Sequence, residues 1–184
     1  HRLGARAVEG LDGDVEFVES PGTGSHLDTV AAAKDMWKAG VGAVVVLGGD
    51  GTCRDVATGW PDVPMIAIST GTNNVFPSTV DGTSAGVVAA LVACGVTPVE
   101  EVATAAKRVS LRIDDPRADA VVHEDALVEA ALIDTTFVGA RAVSDPATIR
   151  WVVACIANPA STGLASVAGR VHPVGRNDPG GVLI

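Results

Sequence analysis

One stretch limits what this chain can fold into: an apolar, β-branched run from Val41 to Leu47 that breaks off into Gly48-Gly49-Asp50-Gly51-Thr52. The run has strand length and fits a strand covered on both faces of a parallel sheet. The glycines let the backbone turn sharply at the strand's carboxyl end and come close to a ligand. Open α/β sheets bind their ligands at that end. Asp50 stands among small residues, with no bulky neighbour to screen its carboxylate.

The flanking sequence supplies the rest of such a unit. Residues 14–19 alternate and predict a short strand, and Ser20 to Ser25 is a loop by composition. A helix follows from about Leu27 to Ala39, with Val30, Ala33, Met36 and Trp37 on one stripe and Gly40 past its end. After the glycine turn come a short helix over 52–58 and a second buried strand, Val63 to Ile68. That strand also ends in a small-residue loop, Ser69-Thr70-Gly71-Thr72-Asn73-Asn74. A helix capped by Thr83 runs to Cys94 and closes at Gly95. The order β-α-β-α-β-loop-α over 14–95 implies a parallel, Rossmann-like sheet with right-handed crossovers.

The pattern changes near residue 100. Val109 to Ile113 alternates with period 2, and Ala126 to Thr136 is a second strand candidate, with Asp114-Asp115-Pro116 turning between them. Ser144-Asp145-Pro146 reads as a helix start, continued by Ala147 to Ala157. Residues 158–184, rich in Gly and Pro, read as loops and short strands. The expected division is an α/β nucleotide-binding domain over 1–100 and an incomplete, β-rich domain over 101–184. The chain opens at His1 rather than Met and closes on an apolar, strand-like end, so it reads as a segment of a longer polypeptide.

Charge excludes some partners. The net charge is −9 and the lysines are Lys34, Lys38 and Lys107 alone, so no basic stripe exists for nucleic acid or an anionic membrane. No apolar run approaches the ~20 residues of a membrane span. Cys53, Cys94 and Cys155 are far apart with no CxxC pair, which disfavours a zinc site or a disulfide framework. They read as small buried residues in a reducing cytoplasm. His26, His123 and His172 have no metal-ligand spacing, so no protein-only metal site is expected.

The residues suggest phosphate chemistry. Gly48, Gly49, Gly51 and Thr52 can offer backbone N–H groups to phosphate oxygens at a helix N-terminus, and Asp50 can accept a hydroxyl proton. Gly71, Thr72, Asn73 and Asn74 offer uncharged donors and acceptors to a ribose or base edge, Asn73 being nearer the glycine. The same loop also reads as a plain turn whose Asn side chains bond their own backbone. Thr162, in Ser161-Thr162-Gly163, is a further contact candidate, as are Arg141, Asp125 and Asp134 if the second half faces the cleft. Arg54 reads as solvated and Asp55 as a helix-dipole partner.

Gly48-Gly49-Asp50-Gly51-Thr52 and the following Gly71-Thr72-Asn73-Asn74 resemble the GGDGT and GTxN segments of the superfamily of NAD kinases and diacylglycerol or lipid kinases. Gly139-Ala140-Arg141-Ala142, Asp145-Pro146 and Gly163 to Gly169 are similar to segments of its NAD-kinase-like acetoin catabolism proteins. The resemblance spans about residues 12–175. It implies an NAD kinase-like fold, with an α/β domain and a β-sandwich-like domain around one site. It also implies ATP as phosphoryl donor, a divalent metal such as Mg, Asp50 as the base, and a hydroxyl acceptor, foremost the 2′-hydroxyl of NAD. Homo-oligomers are expected by the same resemblance. A lipid kinase and a catalytically silent nucleotide-binding protein are the alternatives. Pro159 to Leu164 only echoes the TPTGSTAY-type segment of NAD kinases. Their Asn-Glu pair has no clear counterpart, His123-Glu124-Asp125-Ala126 lying in roughly the right region.

Overall fold

The computed structural model describes residues 8–10, 13–115, 119–135, 143 and 145–184. The first half contains α1 (His26–Lys38), β1 (Val44–Gly48), α2 (Asp50–Gly59), β2 (Met65–Ser69), α3 (Gly82–Ala93) and α4 (Val99–Val102). The second contains β3 (Val109–Asp115), β4 (Ala120–Ala126), β5 (Glu129–Ile133), a 3-10 turn (Pro146–Thr148), β6 (Ile149–Ala154), α5 (Gly163–Val171) and β7 (Val182–Leu183). β1 and β2 pair in parallel, from Val44 opposite Met65 to Gly48 opposite Ser69, so both strands end at the same edge. The second half is antiparallel: a β3–β4 ribbon and a sheet in the order β5-β6-β7.

Local chemistry sets the helix ends. Ser25 caps α1 by accepting from Leu27 N, and Gly40 leaves it at φ +75°. α1 then lies against α2, where the buried Gly59 approaches Val30 so closely that a Cβ would stand 2.3 Å from the Val30 carbonyl oxygen. Backbone cannot yield as a side-chain tip can. Gly59→Ala is therefore expected to destabilise the fold by about 1–3 kcal/mol, the usual cost of overpacking. A wild-type urea midpoint for this variant would refute the close packing of α1 on α2.

The core joins the two halves. Ala33, Val46, Cys53, Val56 and Trp60 are buried together with Leu127 from the start of the β4–β5 connection. A second cluster holds Val128, Cys155, Ile156 and Ala165, and Phe76 packs against both. The loop after β2 is thus clamped between the halves.

Several expectations change. Residues 14–19 are exposed and form no strand, since no described strand pairs with them. An alternating segment without a neighbour has no ladder. β1 is not covered on both faces either: Val46 is buried, whereas Leu47, on the opposite face, is 67% exposed. Asp81, not Thr83, caps α3, its carboxylate accepting from Ser84 N at 2.8 Å. The helix expected over 147–157 is a single 3-10 turn followed by β6, which pairs on both edges, with β5 and β7. The region expected to hold only loops and strands contains α5. Its Ala165, Ala168 and Gly169 are buried, and a Cβ on Gly169 would lie 2.6 Å from the Asn158–Pro159 backbone. Cys53 and Cys155 are buried as expected, but Cys94 is exposed. Among the described residues no helix is long and apolar enough to cross a membrane.

Candidate active site

β1 stops at Gly48, Gly49 is the extended N-cap of α2, and Asp50 is the first residue of the helix. The turn is made without left-handed backbone, since Gly48, Gly49 and Gly51 all lack a positive φ. Space, not handedness, selects the first two glycines. A Cβ on Gly48 would lie 2.6 Å from Thr52 Cβ, and one on Gly49 2.6 Å from Asn74 Oδ1. Gly51 is exposed, and its Cβ direction opens onto free space. Among the described residues no side chain caps α2, so its first N–H groups are open to an anion.

Asp50 reaches across to the loop after β2. Its Oδ1 accepts from Val75 N at 3.0 Å and Phe76 N at 2.8 Å, and Oδ2 accepts from Val75 N at 3.2 Å. Asn74 Nδ2 donates to Ser69 Oγ at 2.9 Å, and Ser69 Oγ donates to the Gly71 carbonyl oxygen at 3.1 Å. Gly48 to Thr52 are therefore assembled with Gly71 and Asn74. Thr72 and Asn73 lie exposed on the outer part of the loop. Asn74, rather than the favoured Asn73, is the side chain built into the junction.

A cleft of about 590 Å³ opens beside this junction. Asn74 and Val75 form one wall, Asn158 to Ser161 a second, and the 173–178 loop a third. Thr162 is exposed at the N-cap of α5, next to the cleft-lining Ser161. The third wall is fastened by Lys107, whose Nζ donates to the carbonyl oxygens of Gly175 (2.8 Å) and Gly180 (3.2 Å).

Glu129, the first residue of β5, was not singled out by sequence. Among the described residues its buried Oε2 has no hydrogen-bond partner. Burial pushes its carboxyl up to about 7, and the charge of Asp50 adds to the shift. Two carboxyl groups thus face one another electrostatically across the halves, and one of them is held near neutrality. Glu124, in the segment considered from sequence, lies on exposed β4 instead. No local motif marks Glu129; only its position after Leu127-Val128 at a strand start hinted at burial. Cys53 behind the same turn is pushed up to about 11 by burial and by Asp50, which keeps it an unreactive thiol.

Other candidates are engaged elsewhere. Arg54 is partly exposed, as a solvated arginine would be, and its guanidinium is also paired with the buried Asp55, Nη2 standing 2.5 Å from Oδ1. Asp125 accepts from Ser110 Oγ at 2.6 Å and pairs with Arg108, and Asp134 pairs with Arg150. Arg141 lies outside the described residues. Among the described residues no group of three or more His, Cys, Asp or Glu side chains converges as a metal cage.

A glycine-rich strand–turn–helix thus packs with an antiparallel second half, and comparison with known proteins divides the chain in the same way. Residues 5–96 match the ATP-NAD kinase N-terminal domain, and residues 107–184 match the acetoin catabolism protein X C-terminal domain. The chain belongs to the ATP-NAD kinase family. It is 38% identical over 170 residues to acetoin catabolism protein X of Cupriavidus necator, covering 92% of this chain and 47% of that protein. It is 37% identical over 73 residues to an uncharacterized protein of Archaeoglobus fulgidus, covering 40% of this chain and 24% of that one. The chain thus spans about half the length, or less, of these curated relatives. No solved structure matches it.

Proposed function

We propose that this chain carries the nucleotide site of an ATP-dependent kinase that phosphorylates a hydroxyl group, foremost the 2′-hydroxyl of NAD. The observation that carries the reading is Asp50 at the uncapped start of α2, its charge acting on the buried carboxyl of Glu129. ATP phosphates would lie against the N–H groups of Gly49 to Thr52, where Gly51 leaves room for close approach. The acceptor hydroxyl oxygen attacks the γ-phosphorus, the bond to the β–γ bridging oxygen breaks, and ADP leaves. The hydroxyl proton passes to Asp50, whose carboxylate has lone pairs beyond those given to Val75 and Phe76.

A divalent cation such as Mg suits these donors, because it needs only one or two carboxylates besides substrate phosphates. Asp50 and the unpartnered Glu129 oxygen are the groups that would hold it, and it would neutralise phosphate charge. In the complete protein, which we take to work in the cytoplasm as a homo-oligomer, the reading carries a Rossmann-like parallel sheet and a β-sandwich-like second half.

A catalytically silent nucleotide-binding protein is the second reading. The bonds from Asp50 to the Val75 and Phe76 N–H groups favour it, since they give that carboxylate a purely structural task. Titrating the protein with ATP and with NAD, then following NADP formation in the presence of magnesium, separates the two. The kinase reading expects both ligands to bind and NADP to accumulate. Binding without transfer to NAD or other hydroxyl acceptors would establish the silent reading.

A further inference from the structure

Among the described residues lining the cleft, Arg176 is the only Lys or Arg, in a chain of net charge −9. Its guanidinium is fixed at two points. One Nη2 hydrogen goes to the Val75 carbonyl oxygen, and the guanidinium carbon stands 5.5 Å from the centroid of the Phe76 ring. Stacking on an aromatic face and one backbone bond hold the planar group in a set orientation without consuming its fork of donors. Among the described residues, no other hydrogen bond or ion pair engages it.

The surroundings suit an anion. The acid in the same wall, Asp178, is exposed, and its Oδ2 is engaged locally, accepting from Gly175 N at 2.7 Å. The other polar walls, Asn74, Asn158, Ser161 and Asn177, are neutral. Ser161, also in the lining, is followed by the N-terminus of α5, which no side chain caps among the described residues. An oriented guanidinium and neutral donors in a volume of mononucleotide size match a phosphate group better than a carbohydrate or an apolar ligand.

We propose that Arg176 is the phosphate-binding residue of this cleft, holding a phosphate of a bound nucleotide while Val75 and Phe76 keep its guanidinium aimed. The proposal rests on the nucleotide reading above and adds to it a residue from the second half. It also gives the 69–77 loop a double tether, its Val75 and Phe76 N–H groups on Asp50 and its Val75 carbonyl on Arg176.

Calorimetric titration of the wild type, Arg176→Gln and Arg176→Lys with ADP, NAD and adenosine tests it. Arg176→Gln is expected to weaken ADP, NAD or both by about 10- to 100-fold, the worth of a charge-assisted bond to phosphate, and to leave adenosine within about 2-fold. Arg176→Lys, a point charge without the fork, should fall between. If adenosine weakens as much as the phosphorylated ligands, Arg176 merely holds the loop and the proposal fails. It also fails if no ligand weakens. A wild type that binds none of the three would overturn the nucleotide reading itself, an outcome distinct from both.

Discussion

Asp50→Ala is expected to loosen the junction between the halves and to stop phosphoryl transfer. The carboxylate is the acceptor for Val75 N and Phe76 N at 3.0 and 2.8 Å in a part-buried setting. Removing it leaves two backbone donors without an acceptor in a loop that carries Phe76, which packs against both core clusters. Hydrogen bonds to a charged acceptor are worth about 1.5–3 kcal/mol each. Water can recover part of this at a part-buried site, so a net loss of about 2–4 kcal/mol is expected in urea unfolding. Asp50→Asn keeps one carbonyl oxygen for Phe76 N and should recover about half of that loss. It should still lower phosphoryl transfer by about 10²–10⁴, the contribution of a positioned base. A wild-type urea midpoint for Asp50→Ala would show that the carboxylate does not hold the loop. Undiminished turnover in Asp50→Asn would remove it as the base.

Glu129→Gln should abolish a pH dependence of stability. In the folded chain the carboxyl is pushed up to about 7 from an ordinary 4.5. Below about pH 4.5 both folded and unfolded states hold the proton, and the contribution to stability is fully present. Between 4.5 and 7 the unfolded chain releases the proton while the folded one keeps it, so stability falls as pH rises. At about 1.4 kcal/mol per pH unit, the loss reaches roughly 3 kcal/mol by pH 8. Glutamine has the same shape and no proton to lose. The variant should match the wild type near pH 4.5 and exceed it at pH 8 by several degrees in Tm, at about 2–4 °C per kcal/mol for a chain of this size. Because Asp50 contributes to the shift, Asp50→Asn should move the wild-type fall to lower pH. Parallel stability profiles for wild type and Glu129→Gln would refute the buried, unpartnered state of this side chain.

The glycine-rich turn was legible because its determinants are local. Five β-branched or aliphatic residues, then two glycines and an aspartate, can only be a strand running into a tight helix start. α1 was legible for the same reason, with its apolar stripe and Gly40 beyond the end. The segment after Asp145-Pro146 was misread because Pro at an early position suits a helix start. Ile149 to Ala154 instead become β6, since β5 offers a partner along one edge and β7 a partner for Val153 and Ala154 on the other. In the opposite direction, residues 14–19 have a strand's alternation and no described strand to pair with.

Within the site, Asn74 could not be told from Asn73 by sequence. The choice depends on which side chain points into the gap left by Gly49 and Gly71, and only the folded loop fixes that. Glu129 and Arg176 were missed because neither belongs to a motif. Each gains its environment from residues far away in the chain: Asp50 in one case, Val75 and Phe76 in the other. What the residue order could establish alone was the strand end, its glycines and its solitary carboxylate, because strand length, turn formation and helix start are short-range effects. The partners of that carboxylate came only with the tertiary fold. Burial, desolvation and hydrogen bonding across about 25 to 100 positions are set by packing, and no window of sequence contains them.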